Sequence, residues 1–121
     1  MQWELRNDRQ IWLQLAEHLT RGIVAGEYPA GTKMPSVRDL AAEAGVNPNT
    51  MQRALSSLEE SGLVEARRSS GRYVTQDAAL IAERRNALAQ RELESFREKM
   101  LLLGYGREEI AEFFKTKGEE I

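Results

Sequence analysis

Apolar residues recur every four positions at Ile11, Leu15, Leu19 and Ile23, laying one stripe along a helix expected over residues 9–25. Gly26 is a natural stop, and the turn-rich connector after Glu27, from Tyr28 to Pro35, has room for one short strand near Lys33. Ser36 then caps a second helix, with Asp39 three residues on as an approximate capping box, and Val37, Leu40 and Ala41 face inward. Ala44-Gly45-Val46-Asn47-Pro48 is a turn: Gly45 allows a left-handed backbone, Asn47 can cap the next helix, and Pro48 falls where a first-turn proline loses no hydrogen bond. The third helix runs to about Ser61 and ends at Gly62. Leu63-Val64-Glu65-Ala66-Arg67 alternates weakly as a strand, Arg68-Ser69-Ser70-Gly71 turns, and Arg72-Tyr73-Val74-Thr75 returns as its partner.

From residue 78 to 103 the pattern is helical again, with Ala82, Ala89, Leu93, Phe96, Met100 and Leu103 near heptad spacing. Gly104-Tyr105-Gly106 breaks it, and a short last helix over residues 107–115 carries Ile110, Phe113 and Phe114 on one side. Two helices joined so closely form an antiparallel hairpin. The expected fold is therefore mainly α with a small β-wing: a winged helix-turn-helix domain over residues 1–76, then an antiparallel two-helix tail over residues 77–121. The tail's apolar surface exceeds what one small face would hide, so a second copy is expected to cover it. Leu88, Leu93, Phe96, Met100, Leu103, Ile110, Phe113 and Phe114 are the candidates for that contact.

At 121 residues and 41% hydrophobic content the chain can bury one modest core, which argues against an elaborate enzyme. The absence of cysteine removes disulfides, zinc fingers and thiol nucleophiles together. His18 has no second histidine to complete a metal set, and no catalytic constellation or phosphate-binding glycine loop is present, so neither cofactor nor metal is expected. No apolar run approaches the roughly 20 residues that span a bilayer, and MQWELRNDRQ lacks a signal peptide's apolar stretch, so no membrane partner and a cytoplasmic location are expected. The net charge of −2 lacks the basic excess of many nucleic-acid binders. Its distribution softens that objection: residues 1–76 carry 9 basic and 9 acidic side chains, and residues 77–121 carry 8 and 10. A binding surface would have to be local and sorted by face.

The third helix can be oriented from its own residues, because about 100° per residue groups Met51, Ala54, Leu55 and Leu58 on the core side. Asn49, Arg53, Ser56 and Glu60 then lie opposite, with Thr50 and Gln52 flanking. The N-terminal residues of such a helix meet base edges; arginine can grip guanine O6 and N7 with two donors, and asparagine or glutamine can do the same for adenine. Asn49, Gln52 and Arg53 are candidate readers on that ground, against the plainer alternative of a solvated polar face. Arg38, exposed by the phase that buries Leu40 and Ala41, suits a phosphate, although a surface salt bridge would also explain it. Ser70, Gly71 and Arg72 are expected at the wing tip, where an arginine could enter a minor groove, while Arg67 and Arg68 fit contact and plain solvation equally well. Trp3, Trp12 and Tyr28 are expected as packing residues, since nothing basic is interleaved with them.

Met34-Pro35-Ser36-Val37-Arg38-Asp39-Leu40-Ala41, Gly45-Val46-Asn47-Pro48-Asn49-Thr50 and Leu58-Glu59-Glu60-Ser61-Gly62-Leu63-Val64 closely resemble the corresponding segments of bacterial GntR-family regulators. The likeness extends back through Ile11-Trp12-Leu13-Gln14-Leu15-Ala16 and covers residues 9–76. The short helical tail and the Asn47-Pro48-Asn49-Thr50 turn are similar to the YtrA subfamily, whose members dimerise through the tail. The resemblance implies double-stranded operator DNA as partner, with Arg38, Asn49, Thr50 and Gly71 among the contacts, and a homodimeric regulator acting as a repressor on an inverted repeat; Asn47, beside them in the turn, is a further candidate contact. Where other branches carry arginines at positions 48 and 52, this chain has Pro48 and Gln52, so its base preference is its own. An unidentified small-molecule effector would have to sit at the dimer interface or against the winged domain. The alternative is a winged-helix adaptor that binds protein through its acidic tail.

Overall fold

The computed structural model describes residues 3–116. Five helices and one hairpin follow in the order α1 (Ile11–Val24), α2 (Val37–Ala44), α3 (Pro48–Glu60), β1 (Val64–Arg67), β2 (Gly71–Val74), α4 (Ala78–Leu102) and α5 (Arg107–Thr116). The chain divides into two compact units, one running to Arg85 and the other beginning at Asn86, so the division falls inside α4.

In the first unit, Leu15, Leu19 and Ile23 of α1 meet Leu40 and Ala41 of α2 and the Met51, Ala54, Leu55 and Leu58 face of α3 in one core, closed by Leu63, Val64 and Val74 from the hairpin. Each large aliphatic side chain buried there stabilises the fold by roughly 2 kcal/mol relative to exposure. Val37, expected to face inward, is only half-buried, because it opens α2 beside a surface groove and not over the core. Gln14 is a buried polar residue with a clear structural use. Its Oε1 accepts the Arg6 amide at 2.6 Å and its Nε2 donates to the carbonyls of Arg6 at 2.7 Å and Arg9 at 3.0 Å, so one side chain holds the segment preceding α1.

The turn between α2 and α3 is built from local chemistry. Gly45 ends α2 at φ 71°, in the left-handed region that other residues adopt at a cost. Asn47 caps α3 by accepting the Asn49 amide at 2.8 Å, and Pro48 occupies the first turn. Past Ser61 the Leu63 amide bonds the Leu58 carbonyl at 3.0 Å, turning the chain directly into β1. β1 and β2 pair antiparallel, Val64 opposite Val74 and Arg67 opposite Gly71.

The strand expected near Lys33 is reduced to an isolated bridge between Lys33 and Tyr73. Val74 donates to Thr32 and Met34 donates to Arg72, both at 2.8 Å, but the chain then leaves β2, because Ser36, the next residue that could bond it, is already the cap of α2. Asp77 accepts the Leu80 amide at 3.1 Å to start α4, and Arg85 Nε donates to the Val24 carbonyl at 3.0 Å.

The second unit is a helical hairpin. Glu109 caps α5 by accepting the Gly106 amide at 3.0 Å. Phe96 meets Phe114 edge-on with centroids 5.4 Å apart, and Tyr105 meets Phe113 likewise at 5.3 Å. Ile110 is only 5% exposed, so this residue, expected in a contact between copies, is instead consumed by the packing of its own hairpin. Leu88 and Met100 are half-buried, while Leu93, Phe96, Leu103, Phe113 and Phe114 remain exposed, as do Leu101 and Leu102, which the heptad pattern left out.

Candidate nucleic-acid interface

The core face of α3 decides what the helix shows to solvent. With Met51, Ala54, Leu55 and Leu58 buried, Asn49, Gln52, Arg53 and Glu60 are exposed, while Thr50 and Ser56 are half-buried. Asn47 lies at the start of this ridge, but its carboxamide oxygen is committed to the cap, leaving its NH₂ as the free polar group.

The two edges of the ridge are held differently. Six residues at about 100° each put Arg53 and Glu59 roughly 120° apart around α3. On one edge Glu59 accepts a hydrogen bond from Arg72 Nε, an ion pair that ties α3 to the wing. Arg72 was expected at the wing tip; it is instead the second residue of β2, with its side chain 16% exposed and turned toward α3. On the other edge the guanidinium carbon of Arg53 lies 4.3 Å from the centre of the Trp12 ring, on α1. Neither pairing is visible in the periodicity of either segment, because each joins residues on different elements.

The wing turn, residues 68–70, includes Ser69 at φ 62°, a left-handed conformation that only a fixed surround makes affordable. Gly71 follows at φ 99°, and a side chain there would meet Lys33 Cε at 3.2 Å, so the lysine lies against the wing's backbone. Ser70 and Tyr73 share a hydroxyl hydrogen bond of 2.6 Å, and Arg67 stacks 3.9 Å above the Tyr73 ring. The Ser70 bond, with Lys33 and Arg67 nearby, holds the Tyr73 phenol below its ordinary value. Lys33, Arg67 and exposed Arg68 thus form a cationic group at the wing. A groove of about 350 Å³ runs between the wing turn and the start of α2, lined by Lys33, Ser36, Ser70 and Gly71 among others. Arg38 is exposed in the first turn of α2 and forms no ion pair with a described residue.

A polar ridge on α3, a cationic wing and an exposed arginine at the start of α2 thus lie on one compact unit. Residues 12–74, which span this whole arrangement, match the profile of "Bacterial regulatory proteins, gntR family". The chain belongs to the GntR family. Among its relatives is the uncharacterized HTH-type transcriptional regulator YhcF of Bacillus subtilis, 37% identical over 113 residues and 93% of both chains. The HTH-type transcriptional repressor YtrA of the same organism is 33% identical over 78 residues, covering 64% of this chain and 60% of that one. A solved GntR-family regulator from Listeria monocytogenes superposes with a TM-score of 0.82 at 36% identity, covering 92% of this chain and 97% of that one. Within the GntR family the kinship is YtrA-like, which fits the short helical tail. GntR members are DNA-binding transcription regulators and not enzymes, and so is this chain. Among the described residues no cluster of His, Asp or Glu could hold a metal, and no helix is long and apolar enough to cross a membrane.

Proposed function

We propose that this GntR-family regulator works in the cytoplasm as a homodimeric repressor whose two winged domains read the halves of an inverted-repeat operator. The observation that carries the reading is the exposed Asn49, Gln52 and Arg53 ridge, flanked by Arg38 and by the cationic wing. Asn49, Gln52 and Arg53 supply the donors that distinguish bases in the major groove, while Arg38, Lys33 and Arg68 hold phosphates. Thr50, Ser70 and Gly71 border these contacts.

Dimerisation is supported by the second unit, where Leu93 is 53% exposed and Leu103 73% exposed, an apolar surface larger than isolated surface leucines require. Repression is supported by the name of one relative, a transcriptional repressor. A small-molecule effector would act at the surface between copies. The test is hydroxyl-radical footprinting of the protein on the DNA upstream of its own gene. A two-fold symmetric footprint is expected, with protected half-sites separated by about 34 Å or a multiple of it. An asymmetric footprint, or one on a single half-site, would refute the dimeric arrangement.

A further inference from the structure

Trp12 is the second residue of α1, half-buried, and its indole N–H donates to Gln10 Oε1 at 2.7 Å, which fixes the rotation of the ring. The face of that ring lies 4.3 Å from the guanidinium carbon of Arg53. α1 and α3 are locked together by their shared core, so the platform and the side chain on it keep their relation. A guanidinium stacked by one face keeps its in-plane N–H donors free, and those are the donors that grip the edge of a guanine. An unsupported arginine would have to give up rotamer freedom on reaching the base; one already lying on a ring has surrendered part of it beforehand. Arg53 is exposed and forms no ion pair with a described residue that would draw it elsewhere.

We infer that Trp12 is a positioning residue for sequence recognition, holding the Arg53 guanidinium on its ring face at the angle from which it reads a base. This rests on the proposed reading role of Arg53 and adds a residue outside the helix-turn-helix to the determinants of specificity. It predicts that the aromatic face matters, not merely the volume. Trp12→Phe keeps a ring face under Arg53, whereas Trp12→Met keeps apolar packing and removes it.

The test uses the full chain and, as probe, the tightest duplex that the natural protein recovers from a random-sequence DNA library, together with its single-base variants. Arg53→Ala first identifies the base whose change ceases to matter. Trp12→Met should then weaken binding to the selected duplex by about threefold to tenfold, with the loss confined to discrimination at that base. Trp12→Phe should stay within about twofold of the natural chain. On the Arg53→Ala background, Trp12→Met should cost nothing further. Equal behaviour of the Met and Phe variants, or a Trp12→Met loss that adds in full to that of Arg53→Ala, overturns the platform while leaving Arg53 a reader. Undiminished discrimination by Arg53→Ala removes the reading role itself, and the platform falls with it.

Discussion

Arg38 and Arg53 are both exposed arginines, but they stand in different surroundings, and that separates their expected behaviour. Arg38 has no described carboxylate or ring to orient it, which suits a phosphate and not a base edge. Arg38→Ala should therefore weaken binding to the selected duplex and to unrelated DNA alike, and flatten the dependence of log K on log salt by about one unit, as titrations over a range of salt concentrations would reveal. An unchanged slope would make Arg38 a bystander. His18 offers a different handle. Its ring stacks on Trp3 with centroids 3.8 Å apart, and burial above all lowers its pKa from the ordinary 6.5, with Glu27 and Glu43 pulling the other way. Because the unfolded chain then takes up the proton more readily, stability should be intact above pH 6.5 and decline as pH falls from there toward the lowered folded value. His18→Phe, which keeps the stack, should flatten that slope in urea melts run from pH 7.5 to pH 5. At this scale the exposure of Arg38, Asn49 and Arg53 was legible from the spacing of the buried residues beside them. The partners of Arg53 and Arg72 were not, because helical phase says which way a side chain points and is silent about what another element brings across from it.

The elements themselves were legible almost to their ends, since their boundaries are written in local chemistry. Ser36 accepts the Asp39 amide at 3.1 Å, and Asn47 with Pro48 opens α3, both as the residue types demand. The wing turn starts where its composition suggested but is one residue shorter, with Gly71 already paired to Arg67, because the tight turn is completed by Ser69 in a conformation that serine rarely adopts. Asn47 is where element and site compete for one side chain. Asn47→Ala should lower stability by about 1 kcal/mol in denaturant unfolding, whereas Asn47→Ser, which can still cap, should lose much less. If the serine variant is equally stable yet binds DNA poorly, the free NH₂ of Asn47 is a contact in its own right.

Across the whole molecule, the nearly neutral first 76 residues mean that a broad basic face is not available to supply affinity, so two copies acting together matter more than they would for a strongly basic domain. The exposed side chains of the second unit are where that pairing is expected. Leu93→Asp and Phe96→Asp should each sediment as monomers that bind the selected duplex at least about tenfold more weakly, in line with the avidity lost when two linked half-sites become one. Variants that remain dimeric would move the interface elsewhere. The apolar faces of the two tail helices pointed to most of these exposed residues but also to Ile110, and could not distinguish residues packed within a hairpin from those left for a second chain, since both are apolar on the same side of a helix.

The ion pair between Glu59 and Arg72 bears on more than the stability of the wing. It ties α3 to β2 in the free protein, so if the ridge and the cations at residues 33, 67 and 68 meet DNA as proposed, they do so at a separation that is held before any duplex arrives. On that reading, duplexes whose grooves match the separation should be bound without deformation, and those that must be bent to match should bind more weakly even where they differ only at base pairs no side chain touches.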